Sequence, residues 1–243
     1  MSVFYELADG LYRPLPPAAL RPTAAAAGLL SRALEQAPTS APLRPVRITI
    51  DLQDPLPSAP LAVRTRVVRD GKRQQLVEAE LWVEGRIAGS ALGLMVCDGE
   101  GPEAPPRSHA DPLPAAGDPV APALGARGPI ETRTLPRTIS GAAAWWTRVG
   151  AQLVAGETPS LIQRAVMACD LGVSACHADA DARPVMDLAV YLVRGPVGDW
   201  VLADAQTDDG GEGYAQISSV LFDTAGMFGY AHQSCLEPQR GRI

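Results

Sequence analysis

The chain has 243 residues, 47% of them apolar, enough to build a sizeable core as one large domain or two smaller ones. Its 27 acidic residues outnumber 21 basic ones, for a net charge of −6, and the arginines are scattered rather than clustered. That balance argues against a nucleic-acid partner, and no apolar run reaches the roughly 18–20 residues that span a bilayer.

The opening MSVFYELADGLYRP shows no basic segment followed by an apolar one, so no signal peptide is read there and a cytoplasmic protein is expected. The four cysteines (Cys97, Cys169, Cys176 and Cys235) match no CxxC spacing. They are expected to pack as small apolar residues, with no metal site and no cofactor.

The run 24-AAAAGLLSRALEQA-37 predicts a helix closed by Pro38. Strands follow. In 46-VRITIDLQ-53, Val46, Ile48, Ile50 and Leu52 share one face and Arg47, Thr49, Asp51 and Gln53 the other. The segment 61-LAVRTRVVRD-70 alternates in the same way. A turn at 70-DGK-72 leads to 74-QQLVEAELWVEG-85, and 86-RIAGSALGLMVC-97 ends the set.

From Asp98 to Arg133 the chain is rich in Pro, Gly and Ala and has no period of either kind, which predicts a linker or long surface loop holding a solvated His109. Beyond it, 143-AAWWTRVGAQLVAG-156 reads as a strand, and Trp145 and Trp146 either pack in the core or line an apolar channel. Thr158 as N-cap and Pro159 in the first turn predict the start of a helix that runs through 165-AVMACDLGVSACH-177. Four strands follow at 185–194, 199–207, 214–223 and 227–237. The cluster 210-GGEG-213 reads as a hairpin turn rather than a nucleotide loop.

Each half therefore reads as one helix followed by four antiparallel strands, an α+β unit present twice. A helix apolar on all sides must be enclosed, either by one curved sheet or by two sheets closing over paired helices.

Asp170 is the chemical anomaly, a carboxylate inside an apolar helix. Burial raises the pKa of such a group toward neutrality, where it can act as a general base. A structural carboxylate bonded to backbone or to Arg164 is the other reading. On 227–237, alternation lets only one of His232 and Gln233 face the helix. His177 falls near the helix exit. Ser174 in 172-GVSAC-176 only approximates a nucleophile elbow, and in a helix rather than a strand–turn–helix.

The ordered set 45–85, 154-VAGETPSLIQRAVMACDLG-172, 187-DLAVYLVRGPVGDW-200 and 231-AHQSCLEP-238 resembles the TesB-like acyl-CoA thioesterases, a family with a double hotdog fold. The resemblance implies an N-terminal hotdog over 1–100, a linker over 101–133 and a C-terminal hotdog over 134–243. It implies hydrolysis of a fatty acyl-CoA by a water held between Asp170 and Gln233, with no metal or other cofactor. A third polar position of the family falls on Val185, two residues before Asp187, and valine cannot hydrogen-bond. Asp187 and Arg194 recur in the family pattern and can simply support the sheet. The resemblance also implies a homo-oligomer. A non-hydrolytic acyl-thioester binder, and a hotdog hydratase or dehydratase using His232, remain as alternatives.

Overall fold

The computed structural model describes residues 2–15, 22–39, 41–53, 56, 58–97, 130–135, 143–176 and 185–236. The predicted linker therefore lies mostly outside the described residues, as do His109 and His177.

The chain opens with a hairpin that the sequence reading does not anticipate, β1 (Val3–Ala8) and β2 (Leu11–Pro14). Its turn is Asp9–Gly10, both residues with positive φ. This is the Asp-Gly turn whose twist suits a two-residue hairpin. Then come α1 (Pro22–Glu35), β3 (Leu43–Leu52), β4 (Ala62–Arg69), β5 (Gln74–Val83) and β6 (Arg86–Cys97). The alternation read for these strands is seen directly in β5, whose residues alternate between buried and more open from Gln75 to Val83.

The second half departs from the expected helix-then-strands order. Three strands precede its helix: β7 (Ile130–Thr134), β8 (Ala143–Val149) and β9 (Gln152–Val154). Residues 130–133, read as the end of the linker, belong to β7. The single strand expected over 143–156 is broken between β8 and β9, and the two pieces pair in different sheets. β8 lies between β11 (Trp200–Asp209) and β7, whereas β9 runs parallel to β1 through Val3↔Gln152 and Tyr5↔Val154. Helix α2 (Leu161–Cys176) and β10 (Asp187–Leu192), β11, β12 (Tyr214–Asp223) and β13 (Gly226–Leu236) complete the half.

Ten strands form one sheet in the order β4-β5-β6-β3-β10-β13-β12-β11-β8-β7, and β3 against β10 joins the two halves. The duplication shows in the ladder itself. Leu81↔Gly89 in the first half recurs as Leu221↔Gly229 in the second, and each is followed by a register shift, at Trp82 and at Phe222. The 210–213 cluster is the β11–β12 turn, with Gly211 and Gly213 at positive φ.

Both helices lie on one face of this sheet and pack against each other, α1 on the first-half strands and α2 on β8 and β11. They pack tightly where α1 carries Gly28, at which a Cβ would lie 2.8 Å from the Met167 side chain. From Thr23 to Leu34 every residue of α1 is buried. One large apolar core surrounds the helices, and a smaller cluster of Ala144, Trp146, Leu202, Phe222 and Met227 covers the other face of the sheet. Adjacent Trp145 and Trp146 thus serve opposite faces, as strand alternation requires.

Candidate active site

Helix α2 is capped two residues later than predicted. Ser160, not Thr158, is the N-cap: its Oγ accepts the N–H of Gln163 at 3.1 Å. The same hydroxyl donates to Glu35 at the end of α1, at 2.8 Å to Oε2, so tertiary pairing selects this hydroxyl over Thr158. From there α2 runs inward through Ala165, Val166, Met167, Ala168 and Cys169, all buried, and delivers Asp170 with 1% of its surface exposed.

A buried carboxylate requires donors. Asp170 receives one from the other repeat: Thr23 Oγ1 donates to Oδ2 at 2.9 Å, and Thr23 is itself buried. Thr23 lies in the first turn of α1, so the positive end of that helix dipole also lies toward Asp170 and favours negative charge there. The adjacent Cys169 thiol is pushed up to about 12, first by burial and second by the charge of Asp170. It is therefore protonated at neutral pH and is no nucleophile. Arg164, the alternative partner for Asp170, pairs instead with Asp199.

Gln233 is 2% exposed on β13, and its Nε2 is buried without a hydrogen-bond partner. It therefore donates no bond to Asp170. An unpaired buried donor is costly, by about 1–3 kcal/mol, and uncommon enough to mark a position. On β8, which packs against α2, Trp145 Nε1 and Thr147 Oγ1 are likewise buried and unpaired. His232 points the opposite way. It is exposed, with Nδ1 3.2 Å from Ser218 Oγ and its ring edge-on to Tyr191.

Val185 is 3% exposed and bridges Cys235 on β13. The ladder is irregular beyond it, because Val185 pairs with Cys235 but Ala189 pairs with His232. Asp187 holds this irregularity, with Oδ1 accepting the N–H of Ser234 at 2.6 Å. Arg194 braces the next turn through a bidentate pair with buried Asp223, both bonds at 2.6 Å. Both residues act as supports of the sheet. Ser174 lies within α2 and so lacks the strand–turn–helix context of a nucleophile elbow.

The residue that the sequence reading misses is Thr23. The Pro22–Thr23 pair opens α1 much as Pro159–Ser160 precedes α2, a signal that could have flagged the hydroxyl but not its partner far along the chain. At the opposite pole of the helix pair, Glu35 accepts bonds from Ser160 and from Gln163 Nε2 at 2.7 Å. Burial raises the Glu35 pKa, and these two bonds oppose the rise. Beside it, Arg32 forks onto Glu157 at 2.6 and 2.7 Å and donates to the Tyr12 hydroxyl at 2.9 Å. Among the described residues no group of His, Cys, Asp and Glu could hold a metal ion. A cavity of about 350 Å³ against Gln53, Glu84 and Arg86 includes neither Asp170 nor Gln233.

The profile of the acyl-CoA thioesterase C-terminal domain matches residues 100–236, and that of the acyl-CoA thioesterase N-terminal domain matches residues 24–96. No curated protein sequence matches the chain. Among solved structures, the fold is similar to acyl-CoA thioesterase II TesB2 of Mycobacterium marinum, with a TM-score of 0.67 and 18% identity over 98% of this chain and 96% of that one. The tesB protein of Mycobacterium avium subs paratuberculosis gives a TM-score of 0.68 and 17% identity over 94% and 92%. A hot dog protein of unknown function from Alicyclobacillus acidocaldarius gives 0.67 and 16% over 87% and 84%. These structures establish the hotdog fold, and the two profiles establish that the chain belongs to the acyl-CoA thioesterase family.

Proposed function

We propose that this member of the acyl-CoA thioesterase family hydrolyses a fatty acyl-CoA, with Asp170 activating the attacking water and Gln233 orienting it. The observation that carries the reading is polar chemistry enclosed in an apolar core. Asp170 is held by a defined hydroxyl, and Gln233 presents an unpaired Nε2, on the helix-facing side of one repeat. A carboxylate there accepts a proton from water as the water oxygen attacks the thioester carbonyl carbon. Gln233 donates to that water through Nε2. Collapse of the tetrahedral intermediate breaks the C–S bond, the thiolate leaves and takes the proton, and the carboxylate is restored. General-base assistance of this kind contributes about 10²–10⁴ in rate. No covalent enzyme intermediate is needed, which suits a helix whose buried cysteine stays protonated.

Release of free CoA thiol from acyl-CoAs of graded chain length tests the reading. Turnover with a chain-length optimum is the expected result. Tight binding across the series with no thiol released would instead establish the second reading, a non-hydrolytic acyl-thioester binder. Buried Val185, a hydrocarbon where the family resemblance implies a polar group, is the observation behind that alternative. A hydratase or dehydratase would want a histidine beside the acid, and His232, the one histidine among the described residues, lies exposed on the opposite side of its strand. The same reading takes the protein as a cytoplasmic homo-oligomer, which size-exclusion chromatography with light scattering checks. No helix among the described residues is long and apolar enough to cross a membrane.

A further inference from the structure

We infer that Thr23 of the first repeat is a positioning residue for Asp170 of the second, orienting its carboxylate from across the helix pair; the inference rests on the thioesterase reading.

Two observations carry it. First, the contact does not follow from helix formation. A hydroxyl in a first helical turn ordinarily meets solvent or caps its own helix. Thr23 does neither: it is 5% exposed and donates at 2.9 Å to a carboxylate 147 residues away. One donated hydrogen occupies one of the roughly four acceptor sites of a carboxylate and fixes the carboxylate plane. Orientation of that plane decides whether a water is presented to a thioester carbon in line, and a small error of placement is expensive in rate.

Second, the third polar position implied by the family resemblance carries no polar group here. Val185 offers hydrocarbon at the position from which a hydroxyl or amide was expected, and the adjacent Asp187 is engaged by the Ser234 N–H. Thr23 supplies a hydroxyl to Asp170 from across the helix pair. The matching contact at the other pole, Ser160 to Glu35, shows what the same helix-end geometry does without a site. Glu35 takes a further bond from Gln163, and the strand position equivalent to Gln233 is Gly93.

The test uses the full-length protein and steady-state CoA release. Thr23→Val is expected to lower kcat roughly ten- to hundredfold, the worth of one buried hydrogen bond to a charged group, with KM little changed. Thr23→Ser should restore most of kcat. In an Asp170→Asn background, Thr23→Val should add no further loss, since a residue acting through Asp170 has nothing left to position. Circular dichroism and Tm establish folding, and Thr23→Ala decides if the valine variant does not fold. Unchanged kcat in the folded hydroxyl-free variant, failure of serine to rescue, or a full additional loss in the Asp170→Asn background each overturns the inference. If wild type releases no CoA, or Asp170→Asn keeps full turnover, the thioesterase reading itself falls. If Asp170→Asn is inactive while Thr23→Val is as active as wild type, only the role of Thr23 falls.

Discussion

The two repeats share one backbone plan and fill it with different chemistry. Val77↔Gly93 in the first repeat occupies the place of Ile217↔Gln233 in the second. Where β13 carries an unpaired amide, the matching position of β6 carries no side chain, and Met95 and Leu34 take the space, 2.9 and 3.1 Å from where a Cβ would stand. Near the end of α1, Glu35 is tied by two donors from α2, whereas Asp170 lies deep within α2 and takes its hydroxyl from α1. At this position one copy packs hydrocarbon and the other keeps a polar amide at some expense in stability. A duplicated fold can divide labour in this way, because both copies share one sheet.

The largest expected effect breaks the shared plan rather than the difference. At Gly229 an added Cβ would lie 2.3 Å from the Tyr191 carbonyl oxygen, and backbone cannot yield as a side chain does. Gly229→Ala should lower stability by about 3 kcal/mol or more, at the upper end for overpacking, in a denaturant titration. The equivalent Gly89→Ala meets chiefly the tip of Leu52 at 2.7 Å, and about 1 kcal/mol is expected. Equal losses at the two sites would deny the asymmetry.

Gln233→Leu makes the second repeat apolar at this position, as the first is. Turnover should fall roughly ten- to hundredfold, as for loss of one donor at a reacting centre. Stability should rise by about 1 kcal/mol, because a buried unpaired donor is removed. A loss of stability together with unchanged turnover would mean that Gln233 packs and does nothing else.

The smallest effect concerns Glu35. Its folded pKa lies above the ordinary 4.5 because of burial. As pH rises past 4.5 the unfolded chain loses this proton first, while the folded chain still holds it, so stability contributed by Glu35 declines until pH passes the folded value. Tm measured against pH for wild type and Glu35→Gln should show wild type losing ground to the variant as pH climbs through that window. Wild type gaining instead would reverse the assigned cause.

Much of this was legible in the sequence. Strict alternation in 74–83 and in 46–52 placed β5 and β3, and the apolar run around Asp170 marked α2. Alternation also left only one of His232 and Gln233 able to face inward, and it is Gln233. What was not legible follows from contacts distant in sequence. Nothing near Thr23 signals a partner at position 170, and nothing in 46–52 says that β3 will pair with β10 to make one sheet from two repeats. The break between β8 and β9 arises because β1 claims the second piece. Thr158 satisfied every local rule for an N-cap, and Ser160 took the role because Glu35 also engages its hydroxyl. The β1–β2 hairpin does have a local signal, the Asp9–Gly10 turn.

On the proposed function the carboxylate of the second repeat, and not that of the first, performs the chemistry. Acyl-CoA hydrolysis by Asp170→Asn and by Glu35→Gln, measured side by side on folded proteins, tests it most directly. The account predicts at least a hundredfold fall in kcat for Asp170→Asn, as expected for loss of a general base, and turnover within about twofold of wild type for Glu35→Gln. Wild-type turnover in Asp170→Asn, or an equal collapse in both variants, would contradict it.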